Sequence, residues 1–447
     1  MKAWKKGWYI SLAALTAAGM LTACNSSGSQ ESLSQSSVSE ETDGTQMVFS
    51  WWGNQTRNDM TQQVIDLYAE ENPGVQIDGQ FSSFDDYWEK LATYAAGNSL
   101  PDVIQMDYKY LAQYSNNGLL VDLTPYIEDG TLDVSGLSED NLNIGQVNGE
   151  IYGICLTVSP PALLYNSTLL EENGIAIKDN MTLDEFYGIC REVYEKTGYK
   201  TNISYGDVAY LESYMRTQDS GSLYGDGRLG ADSPDSLISF FEIYEMGKEE
   251  GWLIDPSVFV ERAGIQAEQD PLVYGDSPET RSWCAFKYNN QITAMQSVIG
   301  DEAVLEMTTY PSPDPQKSNY AKPSQLFCVT KDSANPDEAV KFINFLLNSE
   351  EANKIILTER GIQTNTKMGE LIMSNLTETD QKAIRYLNDV IIPNSSAPNT
   401  PQPEGASEVA DLANNLVEEV CYGQTAAEEA GQRLFEEGNE IMASHAE

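Results

Sequence analysis

The single histidine, His445, stands third from the end of the 447-residue chain, so the commonest general base and metal ligand is missing from nearly all of it. Catalytic triads and zinc sites are thereby set aside, and neither a metal nor a cofactor is expected. What remains for chemistry is aromatic faces and planar polar groups. Trp51 and Trp52 close an apolar run, with Asn54 and Arg57 directly after it; Asp85 and Tyr87 form a second group, Asp107 and Tyr108 a third. A ligand with apolar faces and a rim of hydroxyls needs both kinds of group: rings to stack on and side chains that accept and donate. Each residue also has a plainer reading. On a strand, Trp51 and Trp52 point to opposite sides, so either one can be a core side chain. Asp85 can complement a helix N-terminus, and Asp107 can cap one. Arg57 is either a solvated surface charge or a partner for a ligand hydroxyl or carboxylate.

The elements that must carry these residues alternate. Met47 to Trp52 reads as a buried strand stopped by Gly53-Asn54, and Asp59 with Gln62 resembles a capping box for the helix that follows. Asn72-Pro73-Gly74 ends that helix before a second strand begins at Val75. Ser83 with Asp86 caps another helix, closed by Gly97, and Asp102 to Met106 supplies a third strand. This β-α-β pattern predicts an α/β fold with helices on both sheet faces, and it brings the three groups to the carboxyl edge of one sheet, where open α/β folds bind ligands. Further on, Thr182 and Glu185 form a capping box for a helix ended by Gly198, and Leu237 to Glu250 is amphipathic. Asn335-Pro336-Asp337-Glu338 combines a cap, a first-turn proline and acidic residues, and helices are expected near 406–420 and 425–443.

With 69 acidic and 26 basic residues, the net charge is −43, which opposes a nucleic-acid partner. Lys2, Lys5 and Lys6 precede an apolar run from Trp8 to Leu21, the layout of a secretory signal over residues 1–23. Leu21-Thr22-Ala23-Cys24 resembles a bacterial lipobox, which implies cleavage before Cys24 and its attachment to diacylglycerol. Residues 24–46 then read as a serine-rich tether. Removing three lysines takes −43 to −46, so the lipid on Cys24 must hold the protein at the extracytoplasmic face of the membrane. Cys155, Cys190, Cys284, Cys328 and Cys421 show no CxxC spacing and read as buried thiols, with a single disulfide left open.

A collinear set of motifs runs through residues 47 to 370: Phe49-Ser50-Trp51-Trp52-Gly53, Glu71-Asn72-Pro73-Gly74-Val75, Tyr87-Trp88-Glu89-Lys90-Leu91, Pro101-Asp102-Val103-Ile104, Gly118-Leu119-Leu120-Val121-Asp122, Gly149-Glu150-Ile151-Tyr152-Gly153, Leu164-Tyr165-Asn166, Asn335-Pro336-Asp337-Glu338-Ala339 and Glu359-Arg360-Gly361-Ile362. Together with the lipobox, they resemble the extracellular solute-binding proteins of sugar ABC importers. The resemblance implies a two-lobed periplasmic-binding-protein-like α/β fold with discontinuous lobes, 47–157 with 327–375 and 162–326 with 376–447, joined by a hinge of crossing segments. The first crossing is expected near Leu156 to Ala162, where Pro160-Pro161 restrict the backbone, and later ones near 327 and 375. It further implies a monomer that closes on a carbohydrate and hands it to the transmembrane subunits of an ABC permease. Tyr165 matches the family's Tyr-Asn aromatic, with hinge packing as its alternative. Lys287-Tyr288-Asn289-Asn290-Gln291 matches a pattern that more often reads Gly-Trp-Ser-Asn-Gln, so Tyr288 replaces the usual stacking tryptophan and Asn290 matches the family asparagine. Trp283 is either a second platform or core.

A secreted glycosidase would need two carboxylates about 5–10 Å apart across a glycosidic bond, and no motif singles out such a pair. A ligand-presenting subunit of a sensor system would carry the same cleft. A peptide or polyamine ligand is a further alternative, the polyamine favoured by the charge.

Overall fold

The structure is a computed structural model that describes residues 44–203, 207–260, 269–399 and 401–445, without the side chains of Asp85, Phe259 and Val260. The expected signal segment, Cys24 and nearly all of the tether lie outside the described residues. Twelve strands are described: β1 (Thr45–Trp52), β2 (Val75–Ser82), β3 (Val103–Met106), β4 (Gln146–Val147), β5 (Glu150–Ile151), β6 (Ile154–Val158), β7 (Pro161–Asn166), β8 (Lys200–Asn202), β9 (Ser282–Tyr288), β10 (Leu305–Thr308), β11 (Pro323–Val329) and β12 (Ile362–Gln363). They form a six-stranded sheet in the order β12-β6-β11-β3-β1-β2, a four-stranded sheet in the order β10-β7-β9-β8, and the small pair β4-β5. Each large sheet carries helices on both faces, giving the two-lobed α/β fold. No described helix is long and apolar enough to cross a membrane.

In the first lobe β1 is parallel to both β2 and β3, as two β-α-β crossovers require, while β11 runs antiparallel to β3 and β6. Alternation along β1 divides its side chains. Met47, Phe49 and Trp51 face the helices Gln55–Glu71 and Pro336–Asn348, whereas Trp52 faces Phe84–Ala96 and Tyr108–Asn116. Both faces are therefore core. At roughly 1.5–3 kcal/mol for each large apolar side chain removed from water, Phe49, Phe327 and Phe342 anchor this lobe.

The second lobe is built on β7, which is antiparallel to β9 on one side and β10 on the other. One face carries the helices Leu183–Thr197, Ala209–Met215, Asp235–Glu249, Ala406–Tyr422 and Ala427–Ser444, and the other carries Ile292–Ile299 and Glu378–Arg385.

The capping box at Thr182 and Glu185 is formed, Ser83 caps its helix through the Asp86 amide, and Gly198 ends its helix in the left-handed conformation. One expected start differs, and one expected cap forms without its side-chain bond. The first helix begins at Gln55, because Asn54 Oδ1 already accepts from the Arg57 amide at 2.9 Å, and Asp59 is an interior residue bonded to Gln55. Asn335 makes no side-chain cap; its amide instead donates to the Gln46 carbonyl at 3.0 Å. The five described cysteines are free and buried.

Three segments pass between the lobes. Ser159-Pro160 joins β6 to β7, residues 309–322 join β10 to β11, and the third segment follows β12. The second reaches the first lobe's sheet at Pro323, where β11 begins. The Ser159 amide donates to the Lys322 carbonyl at 2.8 Å, so the first two segments are bonded to each other. Beside them Gly361 has φ +118°, and a Cβ there would lie 2.7 Å from Ser159 Oγ, so both conformation and space require glycine.

Candidate functional site

Between the lobes lies a partly open cavity of about 70 Å³. The first lobe contributes Asp107, Tyr108 and Lys109, at the helix start that follows β3. Asp107 Oδ1 accepts from the Lys109 amide at 3.0 Å, so the carboxylate that caps the helix also fixes the angle at which Tyr108 enters the cavity. The second lobe contributes Glu212 and Arg216 from the end of Ala209–Met215, together with Tyr224; the second crossing segment contributes Tyr320 and Lys322. Ser222, Leu223 and Pro323 also line it, and the remaining wall is the proline-rich set Pro398, Asn399, Pro401, Gln402 and Pro403.

Arg216 holds that wall. Its Nε donates to the Lys317 carbonyl at 3.1 Å, Nη1 to Asn399 Oδ1 at 2.6 Å, and Nη2 to Ser396 Oγ and, at 2.8 Å, to the Ala397 carbonyl. The guanidinium also lies 4.3 Å from the centroid of the Tyr320 ring. Burial pulls its pKa down, partly offset by Tyr320 and Glu212. From the opposite lobe, the Tyr108 hydroxyl donates to the Asn399 carbonyl, so the proline-rich run bonds to both lobes.

Glu212 is the unusual acid of the site. Burial pushes its carboxyl up to about 7; Lys322 opposes this, Asp207 and Asp107 add to it, and a hydrogen bond from Gln402 Nε2 opposes it again. Burial also pulls the Lys109 ammonium down, but Asp107, Tyr110 and Asp411 outweigh it and hold the group above its ordinary value. Such a cavity offers phenol rings for stacking, and carboxylates and amides that pair with hydroxyls.

Of the residues expected from the sequence, Asp107 and Tyr108 line the cavity. Trp52 and Tyr288 stand one layer behind it. Trp52 packs 5.4 Å from Phe84, whose ring lies 5.1 Å from Lys109 Nζ, and the Tyr288 ring lies 4.9 Å from Lys322 Nζ.

Other expected residues do not line this cavity. Trp51 is fully buried, with Nε1 donating to Asn58 Oδ1 at 2.9 Å, and Trp283 is fully buried, with Nε1 donating to Thr201 Oγ1 at 2.9 Å. With helices on both sheet faces and their single donors satisfied, neither presents a face to the cleft. The Tyr87 hydroxyl donates to the Gln105 carbonyl at 2.6 Å, tying its helix to the sheet. Asn54 is a helix cap. Arg57 is neither a surface charge nor a cavity residue, because it donates to the Glu359 carbonyl at 3.1 Å and pairs with the Glu359 carboxylate at 3.5 Å. Tyr165 is half-buried on β7, its hydroxyl pushed up to about 12 by burial and by Glu306, and it packs against the second-lobe core. Asn290 is half-buried in the turn after β9, where its neighbour Asn289 points inward to the Ala383 carbonyl. The Asp85 side chain lies outside the described residues.

Lys109, Glu212, Arg216, Tyr224, Tyr320, Lys322 and the 398–403 wall were not anticipated. The one visible cue was Pro393, Pro398, Pro401 and Pro403, a cluster that stiffens a segment before it folds.

Comparison with known proteins agrees with this architecture. The maltodextrin-binding protein of Bacillus subtilis (strain 168) is 22% identical over 449 aligned residues, covering 95% of this chain and 96% of that protein. The lactose-binding protein of Rhizobium radiobacter is 25% identical, over 66% of this chain and 68% of its own length. Among solved structures, a periplasmic oligogalacturonide binding protein from Yersinia enterocolitica, in complex with saturated digalacturonic acid, superposes with a TM-score of 0.76 at 20% identity, over 90% of this chain and 100% of that one. The model of the bacterial extracellular solute-binding protein family matches residues 52–353, more than half of the sequence, and the chain belongs to that family.

Proposed function

We propose that this chain is the receptor of an oligosaccharide ABC importer: it binds its ligand in the interlobe cavity, closes over it, and delivers it to the permease while tethered through lipid on Cys24. The observation that carries this reading is the composition of the cavity. Tyr108, Tyr224 and Tyr320 supply rings, while Asp107, Glu212, Asn399 and Gln402 supply groups that accept or donate, drawn from both lobes and the segment that bonds to them. The names of the two relatives, a maltodextrin-binding and a lactose-binding protein, support the same ligand class. The closing bodies in this reading are residues 45–158 with 323–375, and 161–308 with 376–445. At about 1 kcal/mol net for each stacking contact or neutral hydrogen bond, a disaccharide or longer ligand reaches roughly the 8 kcal/mol of a micromolar complex.

The test is a thermal-shift screen of the mature chain carrying Cys24→Ser against neutral and uronate sugars, polyamines and short peptides. Ligand at a hundredfold excess over Kd stabilises by about 2.7 kcal/mol, which raises the melting point by several degrees. A shift confined to sugars is expected; a shift with polyamines or peptides and none with sugars would overturn the reading.

A further inference from the structure

We infer that Tyr108 and Asn399, with Arg216 behind them, form a latch that holds the cleft shut, and that a sugar binds only the unlatched form; this rests on the oligosaccharide reading above and adds a regulatory step to the same site. The cavity volume comes first. Small-molecule sites enclose roughly 300–1,000 Å³. This cavity, at about 70 Å³, takes no disaccharide until its walls part.

A bond across the cleft resists that parting. The Tyr108 hydroxyl, on the first lobe, donates to the Asn399 carbonyl, on the run that the second lobe carries. Both ends are held in place. Tyr108 opens the helix Tyr108–Asn116, which Asp107 caps and whose Leu111, Ala112 and Tyr114 are buried in the first-lobe core. Asn399 stands in neither helix nor strand, and none of the described residues from 392 to 404 is buried. Arg216 supplies the missing support. Its Nη1 donates to Asn399 Oδ1 at 2.6 Å, and its Nη2 grips Ser396 Oγ and the Ala397 carbonyl on the other side of Pro398. Asn399 Nδ2 donates to the Gly221 carbonyl at 3.4 Å, and the Ser396 amide to the Asn319 carbonyl at 3.1 Å. The Asn399 side chain is thus committed to the second lobe, while its carbonyl faces Tyr108. Pro398 fixes the backbone between the two grips, so that carbonyl is presented at one place.

The latch is weak enough to release. A single neutral hydrogen bond shifts an equilibrium by about two- to tenfold, and water replaces it when the lobes part. The run stays on Arg216 as they do, so Asn399 and Gln402 still line the opened cleft. The latch therefore sets the fraction of chains able to take ligand, and apparent affinity falls by that fraction. Arg216 acts only through Asn399 and is a positioning residue.

The experiment compares the mature chain carrying Cys24→Ser with the same chain carrying Tyr108→Phe, which keeps the ring and removes the donor, or Arg216→Ala, each first shown to melt cooperatively. Stopped-flow mixing with maltotriose, lactose and saturated digalacturonate, read by tryptophan fluorescence, gives association and dissociation rates. Small-angle scattering gives the radius of gyration with and without sugar. Tyr108→Phe is expected to associate about fivefold faster at unchanged dissociation, and wild type is expected not to contract when saturated. Without sugar, both variants are expected to have a larger radius than wild type. Slower or weaker binding by Tyr108→Phe at unchanged melting point would assign its hydroxyl to the sugar, and contraction of wild type on saturation would show that its free cleft stands open. Either result overturns the latch and leaves the oligosaccharide receptor standing. If none of these sugars binds, the oligosaccharide reading fails by itself and the ligand-free radii decide the latch: larger in both variants upholds it, equal in all three chains removes it.

Discussion

Replacing Arg360 with methionine separates the scaffold from the site. This guanidinium is 3% exposed and lies under the hinge, where Nη1 donates to Gln105 Oε1 on β3 and, at 2.7 Å, to Gln325 Oε1 on β11, while Nη2 donates to Thr61 Oγ1 at 2.7 Å. Burial and the nearby Arg57 depress its pKa well below the ordinary value, and Glu359 only partly offsets them. Methionine fills similar space but leaves the two amide oxygens without their donor, at about 1–3 kcal/mol each, or about 2–6 kcal/mol together. Part of this returns because no charge is then desolvated, so a net loss of about 3 kcal/mol is expected. Near 2–4 °C per kcal/mol, that lowers the melting point by roughly 6–12 °C. Arg360→Lys keeps the charge but not the planar fork and should lose a similar amount. Calorimetric melting, paired with sugar titration, checks this: stability falls and affinity stays within about twofold. A melting point within about 2 °C of wild type refutes the stability argument, and a collapse of affinity at unchanged stability would move Arg360 into the site.

Glu212→Gln should alter stability without any ligand. The native carboxyl, raised from 4.5 to about 7, keeps a proton that the unfolded chain releases, so wild-type stability falls as pH rises from 4.5 through 7 and the cost is constant above that. The amide avoids a cost of up to about 3 kcal/mol, less whatever the cavity solvent screens, so denaturant unfolding should find the variant more stable at pH 8 and equal to wild type near pH 4; a less stable variant at pH 8 contradicts the sign. Arg216→Ala removes the anchor of residues 396–399, and hydrogen exchange should accelerate there while the helix Ala427–Ser444 stays protected. Equal exchange in both proteins would show that the run is held by other contacts. The five buried thiols, all pushed up by burial, should resist a thiol reagent in the native chain and react together in denaturant.

Local signals were readable where one short stretch decides the outcome. Thr182 with Glu185, Ser83 with Asp86 and the left-handed Gly198 satisfy or end a helix within one turn, and all three are found in place. Asp59 misled because Asn54 is an equally good cap nearer the strand end and captures the Arg57 amide first. Asn335 stands at the expected N-cap position, but its side-chain amide donates to a tertiary acceptor, the Gln46 carbonyl, and makes no cap bond. The tryptophans show the limit of periodicity: alternation puts Trp51 and Trp52 on opposite faces, and the helices expected on both faces bury each of them. Of the residues that line the cavity, only Asp107 and Tyr108 follow a recognisable strand. Glu212, Tyr320, Lys322 and Asn399 reach the cavity from separated parts of the chain, and no local pattern encodes their meeting.

The central claim is that a sugar binds between the lobes against Tyr108 and Tyr320. Calorimetric titration of the mature chain carrying Cys24→Ser with the sugar that gives the largest thermal shift tests it, beside Tyr108→Ala, Tyr320→Ala and the core control Trp51→Phe. The account predicts one site per chain and a negative heat-capacity change, with affinity lost by about fivefold or more in each tyrosine variant and retained in Trp51→Phe. Undiminished affinity in both tyrosine variants, or its loss in Trp51→Phe at unchanged melting point, would place the ligand elsewhere and contradict it.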